Sequence, residues 1–425
     1  MATINRQKLD HVLGAEIEKF ANEHPKCFAL YQRAKGCEVW DLDGRHFYDF
    51  AQMGVGACVL GYADPEVDAA VVRAIQQGSM CTLNCPEEVA LAEKLLELHP
   101  WAQMARFART GGEACAIAVR IARAASGRDK VAFCGYHGWH DWYLAANIGD
   151  LSRLDGQLLP GLEPKGVPQV LKNTALPFHY NDLTELEALV RTHPGEIGVI
   201  IMEPARGELP APGFLEGVRA IATRIGAVLI FDEITSGFRM NLGGIHLLLG
   251  VEPDIAVFGK ALGNGYPIAA LIGRRAVMDS AQETFISSTF WTERVGFAAA
   301  LATLEKMAAH QVPSFLVHYG ERLSAGWQSL AAQCQLAISV GGIPPLTHLV
   351  FDNPDPLASQ TLYTQEMLDL GYLLGSAVYS TYAYADPIID RFLSDSEPVF
   401  QKIAAAVNAG EVRSCLRGEV LPRGF

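Results

Sequence analysis

One lysine and one aspartate stand at the ends of apolar runs, where strands of a sheet deliver polar side chains to a reaction centre. Lys260 follows the run 255–258 and Gly259, and it opens a turn that contains Gly263 and Gly265. Asp232 ends the run 228–232, 28 positions before Lys260. A lysine in desolvated surroundings loses its proton readily and becomes a nucleophile for carbonyl carbon. A buried aspartate needs a cationic partner, so the pair indicates carbonyl chemistry beside a bound cation.

A cofactor with an aldehyde and a ring nitrogen suits both residues. Lys260 would form a Schiff base with the aldehyde, and Asp232 would pair with a protonated pyridine nitrogen, as in a pyridoxal phosphate site. The alternative is an ordinary surface turn, since lysine followed or preceded by glycine is common in loops. These two residues alone leave both interpretations open.

A glycine pair in Thr110-Gly111-Gly112-Glu113 is the next candidate, because it follows an apolar run and opens a helical pattern. Two glycines let the backbone approach an anion closely, and a helix N-terminus offers free N–H groups and the positive end of the helix dipole. Thr110 and Glu113 have the spacing of a capping box. The motif fits a phosphate site and an ordinary capped helix equally well. It is not a P-loop, since no Lys-Ser/Thr pair follows at the required spacing.

An aromatic loop, Gly135-Tyr136-His137-Gly138-Trp139-His140, comes directly after the apolar run 131–134. An aromatic side chain on a loop at the end of a strand can stack on a flat heteroaromatic ring, or it can pack within the protein. His137 and His140 are three positions apart, but no third ligand stands nearby in sequence, so we predict no metal site.

Further candidate residues end or follow other apolar runs. Glu203 follows 199–202, and Ile234 comes two positions after Asp232. Thr289 lies in a hydroxyl-rich stretch, residues 287–289, before a predicted helix over 295–306, where hydroxyls either cap the helix or bind phosphate.

Short apolar runs alternate with helical stretches between residues 104 and 273, which favours right-handed βαβ crossovers and an α/β fold with a mainly parallel sheet. Ligands of such sheets bind outside the carboxyl ends of the strands, where all of these candidates stand. We predict strands at 104–108, 131–134, 199–203, 228–232, 255–258 and 269–272, a hairpin around Asp43-Gly44 and an N-terminal helix over 6–22. The tail from about residue 302 mixes helices with short β runs and reads as a second, smaller lobe.

Composition narrows the class of protein. The chain has 425 residues, half of them apolar, and a net charge of −13. Nucleic-acid binding is disfavoured, because phosphate contacts need an excess of Lys and Arg. Nine scattered cysteines indicate a reduced compartment. With no signal-peptide pattern at the N-terminus and no apolar run of transmembrane length, we expect a cytoplasmic protein and no membrane partner.

Taken in order, the motifs resemble the class III, fold-type I pyridoxal-phosphate aminotransferases, nearest to the glutamate-1-semialdehyde aminomutase group. The resemblance runs from about Phe28 into the C-terminal lobe. Its motifs lie at 33–36, 39–44, 61–65, 110–114, 136–138, 212–217, 231–233, 237–239 and 259–260. It implies a large pyridoxal-phosphate-binding domain over 63–302, with a mainly parallel central sheet flanked by helices. It also implies a smaller, discontinuous α+β domain built from 1–62 and 303–425.

The resemblance also implies a role for each candidate residue. Lys260 and Asp232 would be catalytic, the first as Schiff-base lysine and proton shuttle, the second as partner of the pyridinium nitrogen. Tyr136 and Ile234 would cover the two faces of the ring. The remaining residues that the resemblance assigns to cofactor binding are Gly111 and Gly112 at the phosphate, His137 beside Tyr136, Glu203 near the pocket, and Thr289. The last would reach the phosphate of the neighbouring subunit, which implies a homodimer with shared active sites.

The implied activity is transamination between an amine or amino-acid donor and a ketone or aldehyde acceptor. On the substrate side the sequence departs from the aminomutases: their tryptophan is replaced around Gly54-Val55, and 290–294 differ from their Ser-Gly-Asn-Pro. The N-terminal segment also lacks their substrate-binding arginine. An aminomutase or racemase that uses the same site stays the enzyme alternative. A relative without activity that serves in binding or assembly is disfavoured by the intact Lys260 and Asp232. A nicotinamide dehydrogenase is disfavoured too, because the glycines after Gly259 do not form a dinucleotide fingerprint.

Overall fold

The computed structural model describes residues 30–157, 161–205 and 207–421. These residues contain fourteen strands. The predicted helix over 6–22 lies outside the described residues. In chain order the strands are β1 Tyr31–Lys35, β2 Glu38–Asp41, β3 His46–Phe50, β4 Met104–Ala108, β5 Lys130–Cys134, β6 Ala175–Pro177, β7 Ile197–Met202, β8 Val228–Asp232, β9 Ile255–Phe258, β10 Ala269–Gly273, β11 Ile338–Gly341, β12 Leu346–Phe351, β13 Tyr372–Leu374 and β14 Ala377–Tyr379.

Helices connect and cover these strands. In the described chain the α-helices are α1 Pro65–Gln76, α2 Pro86–Leu98, α3 Gly111–Ser126, α4 Asp141–Leu144, α5 Leu183–Thr192, α6 Phe214–Ile225, α7 His246–Leu249, α8 Arg275–Met278, α9 Val295–Ala309, α10 Val312–Gln333, α11 Pro356–Asp369 and α12 Asp386–Ala409. Short 3₁₀ turns lie at Ala145–Asn147, Gln169–Leu171, Lys260–Gly263, Asp279–Gln282 and Arg413–Cys415. None of the helices in the described residues is long and apolar enough to cross a membrane.

The described chain forms two compact units. The larger contains Gly54–Cys58 and Pro65–Phe315, and the smaller contains the described residues up to Met53, Val59–Asp64 and those from Leu316 onwards. The functional roles that the resemblance gives to domains 63–302 and 1–62 plus 303–425 stay a prediction.

The larger unit is built on a seven-stranded sheet in the order β4-β10-β9-β8-β7-β5-β6. The strands from β9 through β8, β7 and β5 to β6 are parallel, whereas β10 runs antiparallel to both β4 and β9. This confirms the prediction of an α/β fold with a mainly parallel sheet.

Both faces of this sheet are covered, which explains the continuous apolar runs of its central strands. Every residue of β7, β8 and β9 is buried. Along β8, Ile230 packs into the core that contains α3, while Leu229 and Phe231 pack into the core that contains α6. Side chains of a strand point alternately to its two faces, so Asp232 at the end of β8 continues toward the side of Ile230.

The strand predictions differ from the structure mainly at the ends. Residues 104–108, 228–232 and 255–258 match β4, β8 and β9, while β7 covers Ile197–Met202, so Glu203 lies just beyond its strand. The sequence analysis missed β6, because three residues are too few to show a period.

Two sheets form the smaller unit. The first has the order β1-β2-β3-β13 and the second the order β11-β12-β14. The antiparallel pair β2 and β3 is the hairpin predicted around Asp43-Gly44, with Gly44 at a left-handed φ of 79°. Helices α11 and α12 carry buried apolar residues such as Leu362 and Phe392.

Replacement of Gly320 in α10 tests the packing of the smaller unit. A Cβ at this position would lie 1.7 Å from the carbonyl oxygen of Pro344. Alanine is favoured over glycine in a helix by about 1 kcal/mol. The backbone must shift to avoid the clash with Pro344, however, and the cost of that shift should exceed this gain. We expect Gly320→Ala to lower the free energy of unfolding by about 1–3 kcal/mol, measured by urea denaturation. Gly375→Ala, whose Cβ meets no atom within 4 Å, is the control, and equal stability of the two variants would contradict the prediction.

Candidate active site

Three of the predicted site residues lie at the carboxyl edge of the large sheet. Asp232 ends β8, and His137 lies on the loop after β5. Lys260 begins a 3₁₀ turn after β9. Because β5, β8 and β9 run parallel, their ends meet at the same edge, and it is the edge at which ligands bind in folds of this kind.

Asp232 is buried, and hydrogen-bond donors surround its carboxylate. Its Oδ2 accepts a hydrogen bond from Nδ1 of His137 at 2.8 Å and one from Sγ of Cys115 at 3.3 Å. Its Oδ1 accepts from the backbone N–H of Ile234 at 3.1 Å. Burial, and secondly the negative charge of Asp232, raise the pKa of Cys115 well above its ordinary value. The thiol therefore keeps its proton and serves as a donor.

His137 contacts the carboxylate of Asp232 through a ring nitrogen. Its Nδ1 faces the carboxylate, and its Nε2 lies 3.2 Å from the carbonyl oxygen of Cys134. The ring also lies parallel to Trp142, with 6.2 Å between centroids. His137 thus fixes the orientation of Asp232.

Three residues of types that bind metals lie together here, although the sequence analysis predicted no metal site. Single ligand atoms of Cys115, His137 and Asp232 all lie within 4.8 Å of one another. These atoms already satisfy one another through hydrogen bonds. The ring of His140 is next to Gly112 and stacks on Trp139 instead.

Lys260 has an unusual backbone and a defined partner. Its φ of 44° lies in the left-handed region, which is uncommon for a residue with a side chain. Its Nζ donates a hydrogen bond to Oγ1 of Thr235 at 2.9 Å. Thr235 is buried, with 4% of its surface exposed. The sequence analysis missed Thr235, although its place three residues after Asp232 on the same loop was visible.

Gly111 and Gly112 lie at the tightly packed start of α3. A Cβ on Gly111 would approach Cδ1 of Ile234 to 2.8 Å, and one on Gly112 would approach the ring of His140 to 3.0 Å. Thr110 caps the helix by accepting from the N–H of Glu113. The carboxylate of Glu113 accepts from the N–H of Arg109 and not from that of Thr110, so the predicted capping box forms only in part. The structure brings Gly111 and Ile234 together as neighbours.

Glu203 and Tyr136 meet through the backbone. Oε2 of Glu203 accepts a hydrogen bond from the N–H of Tyr136 at 3.1 Å, and a Cβ on Gly135 would lie 2.6 Å from the same oxygen. The half-buried ring of Tyr136 packs edge-on against Tyr143. Glu203 therefore anchors the backbone of the aromatic loop.

Thr289 is exposed, on a turn that Arg109 ties to the start of α3. The guanidinium of Arg109 donates to the carbonyl oxygens of Phe290 at 2.5 Å and Glu293 at 2.9 Å. No hydrogen bond joins Thr289 to another predicted site residue within the described chain. Its place in a shared site stays a prediction.

A second acid–histidine pair lies next to the first and was not predicted. Glu233 is buried, and its Oε1 accepts from the N–H of His246 at 2.9 Å and from Nδ1 of His246 at 2.8 Å. Its Oε2 accepts from the hydroxyl of Ser236 at 2.5 Å. Nε2 of His246 accepts from Nε1 of Trp101 at 2.9 Å. The loop after β8 is therefore fixed by two buried carboxylates, Asp232 and Glu233.

His99 completes this network as a neutral imidazole. Its Nδ1 donates to the carbonyl oxygen of Leu95 at 2.8 Å, and its Nε2 accepts from the N–H of Gly244 at 2.9 Å. Burial lowers the pKa of His99 to about 4. Protonation at Nε2 would remove the acceptor of the Gly244 N–H.

Most of the chain matches a known family model. The model described as aminotransferase class-III matches residues 19–378. The chain is 34% identical over 344 residues to the 3-aminobutyryl-CoA aminotransferase of Cloacimonas acidaminovorans (strain Evry), with 79% of each protein covered. It is 33% identical over 370 residues to a glutamate-1-semialdehyde 2,1-aminomutase of Syntrophobacter fumaroxidans, which covers 83% of this chain and 84% of the relative.

Solved structures share the fold. The PLP internal aldimine form of the FumI protein from Sphingopyxis sp. MTA144 superposes with a TM-score of 0.86 at 24% identity and covers 95% of this chain and 96% of that one. A β-phenylalanine aminotransferase from Variovorax paradoxus has a TM-score of 0.77 at 26% identity, with 94% of this chain and 96% of that chain covered.

The low pKa of His99 makes stability depend on pH. Between about 6.5, the ordinary pKa, and about 4 in the folded state, the unfolded chain binds a proton that the folded chain does not. Stability should therefore fall as the pH falls through this window, by up to about 3 kcal/mol from this residue. Urea denaturation of the full chain at pH 7 and pH 4.5 measures the loss. His99→Gln should reduce the dependence, whereas His179→Gln, at an exposed histidine, should keep it. An unchanged dependence in His99→Gln would contradict the assignment.

Proposed function

We propose that Lys260 and Asp232 form the catalytic centre of this chain, which belongs to the class III aminotransferases. The enzyme is a fold-type I, pyridoxal-5'-phosphate-dependent aminotransferase that moves an amino group between an amine donor and a carbonyl acceptor. The observation that carries the proposal is the placement of a lysine amine and a buried, donor-held carboxylate on adjacent loops at one edge of the sheet.

The chain's own residues fit the cofactor. Lys260 offers a primary amine for its aldehyde, and Asp232 offers a fixed negative charge for its ring nitrogen. The start of α3 is free of side chains, and a Cβ on Gly138 would lie 2.8 Å from Cα of Gly112. Such a glycine-lined helix start leaves the first N–H groups open to a phosphate.

Bound pyridoxal phosphate supplies an electron sink that stabilises negative charge on the substrate carbon during proton transfer. Within each half-reaction Nζ of Lys260 takes up the proton of the substrate carbon and returns it, because this amine lies at the same edge of the sheet as Asp232. The carboxylate of Asp232 would face the ring nitrogen. The donors His137 and Cys115 hold that carboxylate in one orientation.

The other predicted residues hold the cofactor in place. We assign the phosphate to the N–H groups of Gly111 and Gly112, and the two faces of the ring to Tyr136 and Ile234. Ile234 already packs against Gly111, which joins the ring side of the site to its phosphate side. His137 and Glu203 act through other site residues. His137 binds the carboxylate of Asp232, and Glu203 binds the backbone N–H of Tyr136.

A homodimer with shared sites is the assembly we propose. Exposed apolar side chains cluster on two segments that contact each other, with Met80 and Leu83 on one and Phe285 and Phe290 on the other. The segments are joined by hydrogen bonds from the N–H of Arg294 to Ser79 and from the hydroxyl of Thr292 to Cys81. Exposed apolar surface of this kind is typical of protein interfaces, and Thr289 lies within it. Thr289 would then complete the phosphate site of the partner.

A substrate other than glutamate-1-semialdehyde is favoured by the substrate-side sequence. Where the aminomutases carry tryptophan, Gly54 and Val55 both have left-handed φ values, 65° and 56°, and Val55 is exposed. The curated relative of highest identity reported above is named for a CoA-linked amine, and aminomutases are relatives too. The alternatives differ in their co-substrate, since an aminomutase converts one compound without a separate carbonyl acceptor.

We place the enzyme in the cytoplasm. All eight cysteines of the described chain are free thiols, and several of them are buried among apolar side chains. This usage is typical of a reducing compartment.

Replacement of Lys260 tests the catalytic assignment. Lys260→Ala removes the amine that bonds to the cofactor and carries the proton, so turnover should fall by at least about 10²–10⁴-fold. Borohydride reduction followed by mass spectrometry should find the cofactor attached at residue 260 in the wild type and absent there in the variant. Lys94→Ala, at a partly exposed lysine paired with Glu97, is the control. Retained turnover in Lys260→Ala would rule out the proposal.

Mixed dimers test the shared site. Thr289→Glu would set a negative charge against the phosphate and, like Lys260→Ala, give an inactive homodimer. After subunit exchange between these two variants, half of the dimers are mixed and each mixed dimer has one intact site, so about one quarter of wild-type activity should return. If Thr289 serves the site of its own subunit, no mixed dimer has an intact site and no activity returns. Size-exclusion chromatography establishes that dimers are present.

A further inference from the structure

We propose that Thr235 is a further catalytic residue, whose hydroxyl holds the amine of Lys260 whenever that amine is not bonded to the cofactor. The inference rests on the proposed function of Lys260. Nothing in the sequence pattern or in the family resemblance assigned a role to Thr235. Its Oγ1 is the acceptor of the hydrogen bond from Nζ of Lys260 at 2.9 Å, so it contacts the reacting atom itself.

The direction of the lysine side chain is set by its backbone. Lys260 has a left-handed φ of 44°, directly after Gly259 and at the first position of the turn Lys260–Gly263. A residue with a side chain adopts this strained conformation only where the surroundings enforce it, which is common at functional sites. The side chain therefore leaves the backbone in one fixed direction, toward the loop after β8.

Thr235 is held in place from one side by Arg239. The guanidinium Nε of Arg239 donates to the carbonyl oxygen of Thr235 at 2.6 Å. Arg239 is itself buried, with 1% of its surface exposed, and its Nη2 donates to the carbonyl oxygen of Gly56. A buried guanidinium with several backbone acceptors cannot move without losing charge-assisted hydrogen bonds. The backbone of Thr235 is fixed accordingly.

The Glu233 network holds the loop from the other side. The carboxylate of Glu233 binds the Ser236 hydroxyl and His246, and its carbonyl oxygen accepts from the N–H of Gly237 at 2.8 Å. A Cβ on Gly237 would lie 2.7 Å from that carbonyl oxygen, so the turn is tight. Thr235 sits between these two fixed points. Its backbone is therefore fixed, so the Thr235 side chain starts from a fixed point beside Lys260, which favours precise orientation of the amine.

The chemistry of the contact follows from its polarity. Nζ uses one N–H to donate to Thr235, so in the neutral amine the lone pair points elsewhere than at Thr235 and is available for attack or for taking up a proton. In the ammonium form the same oxygen stabilises the charge, because a hydrogen bond to a charged group is worth more than one to a neutral group. Thr235 carries no proton to substrate. It sets where the amine stands and how readily it is protonated.

The reaction of the cofactor-free full chain with pyridoxal 5'-phosphate measures both effects. In this reaction the amine nitrogen of Lys260 replaces the aldehyde oxygen, which leaves as water, and the absorbance change gives a rate at each pH. Thr235→Val keeps the shape and removes the hydroxyl, while Thr235→Ser keeps the hydroxyl. We expect the plateau rate of Thr235→Val to fall about 10-fold through loss of orientation. The acidic limb of its pH–rate profile should move to lower pH by up to about one unit, since the ammonium form loses its acceptor.

Holoenzyme kinetics give a second readout. Thr235→Val should lower kcat more than it changes KM for the amine donor, because the hydroxyl contacts Lys260 and not the substrate. Thr235→Ser should match the wild type in both assays. If valine does not fold at this buried position, Thr235→Ala compared with Thr235→Ser isolates the same hydroxyl. A plateau rate and an acidic limb that are the same in the hydroxyl-free and serine variants would overturn the inference.

Failure of this inference and failure of the proposed function are separate outcomes. If borohydride reduction attaches the cofactor of the wild type at a residue other than 260, the role of Lys260 is wrong and that of Thr235 falls with it. If the wild type is labelled at Lys260 and the Thr235 variants react with unchanged rate and pH profile, only the role of Thr235 is wrong. A purely structural role would lower the free energy of unfolding of Thr235→Val and leave the pH profile where it is.

Discussion

The burial of a charged aspartate at the end of a central strand is the constraint on which the rest of the site depends. A carboxylate taken out of water costs several kcal/mol unless donors surround it. Asp232 obtains them from three elements: His137 on the loop after β5, Cys115 on α3 and the N–H of Ile234 on its own loop. These donors lie on three different elements, so the position of Asp232 depends on how all three pack at the carboxyl edge of the sheet.

The loop from Asp232 to Arg239 links the proposed catalytic residues through a continuous set of hydrogen bonds. Asp232 faces His137 and the adjacent Glu233 faces His246, so two acid–histidine pairs lie side by side. Between Glu233 and Arg239 stands Thr235, whose hydroxyl meets Lys260. Such a loop suits an enzyme in which the same lysine must leave and return to one position in every cycle, because rigid surroundings keep the returning amine oriented.

Glycines provide the remaining geometry where side chains have no room. Gly111 is packed against Ile234, Gly112 against His140 and Gly138 against Gly112. The aromatic loop and the start of α3 can therefore approach each other closely, and the helix end stays open. Glu203 and Arg109 fix the flanking segments, the first at Tyr136 and the second at Phe290. The proposed phosphate side of the site thus consists of backbone, and the proposed ring side consists of side chains.

The sequence by itself determined the α/β fold, the strands β4, β8 and β9 to the residue, and the two catalytic candidates, because buried parallel strands leave continuous apolar runs and the polar residues after them stand out. The sequence also indicated the family, because its motifs occur in a fixed order. Only the tertiary structure decided which groups serve those candidates. Cys115 is 117 positions from Asp232, His137 is 95 positions from it, and Thr235 is 25 positions from Lys260. Contacts over such separations depend on strand register and on how α3 docks against the sheet. Local periodicity contains neither, so Cys115 and Thr235 looked like ordinary packing and loop residues until the fold brought them to the site.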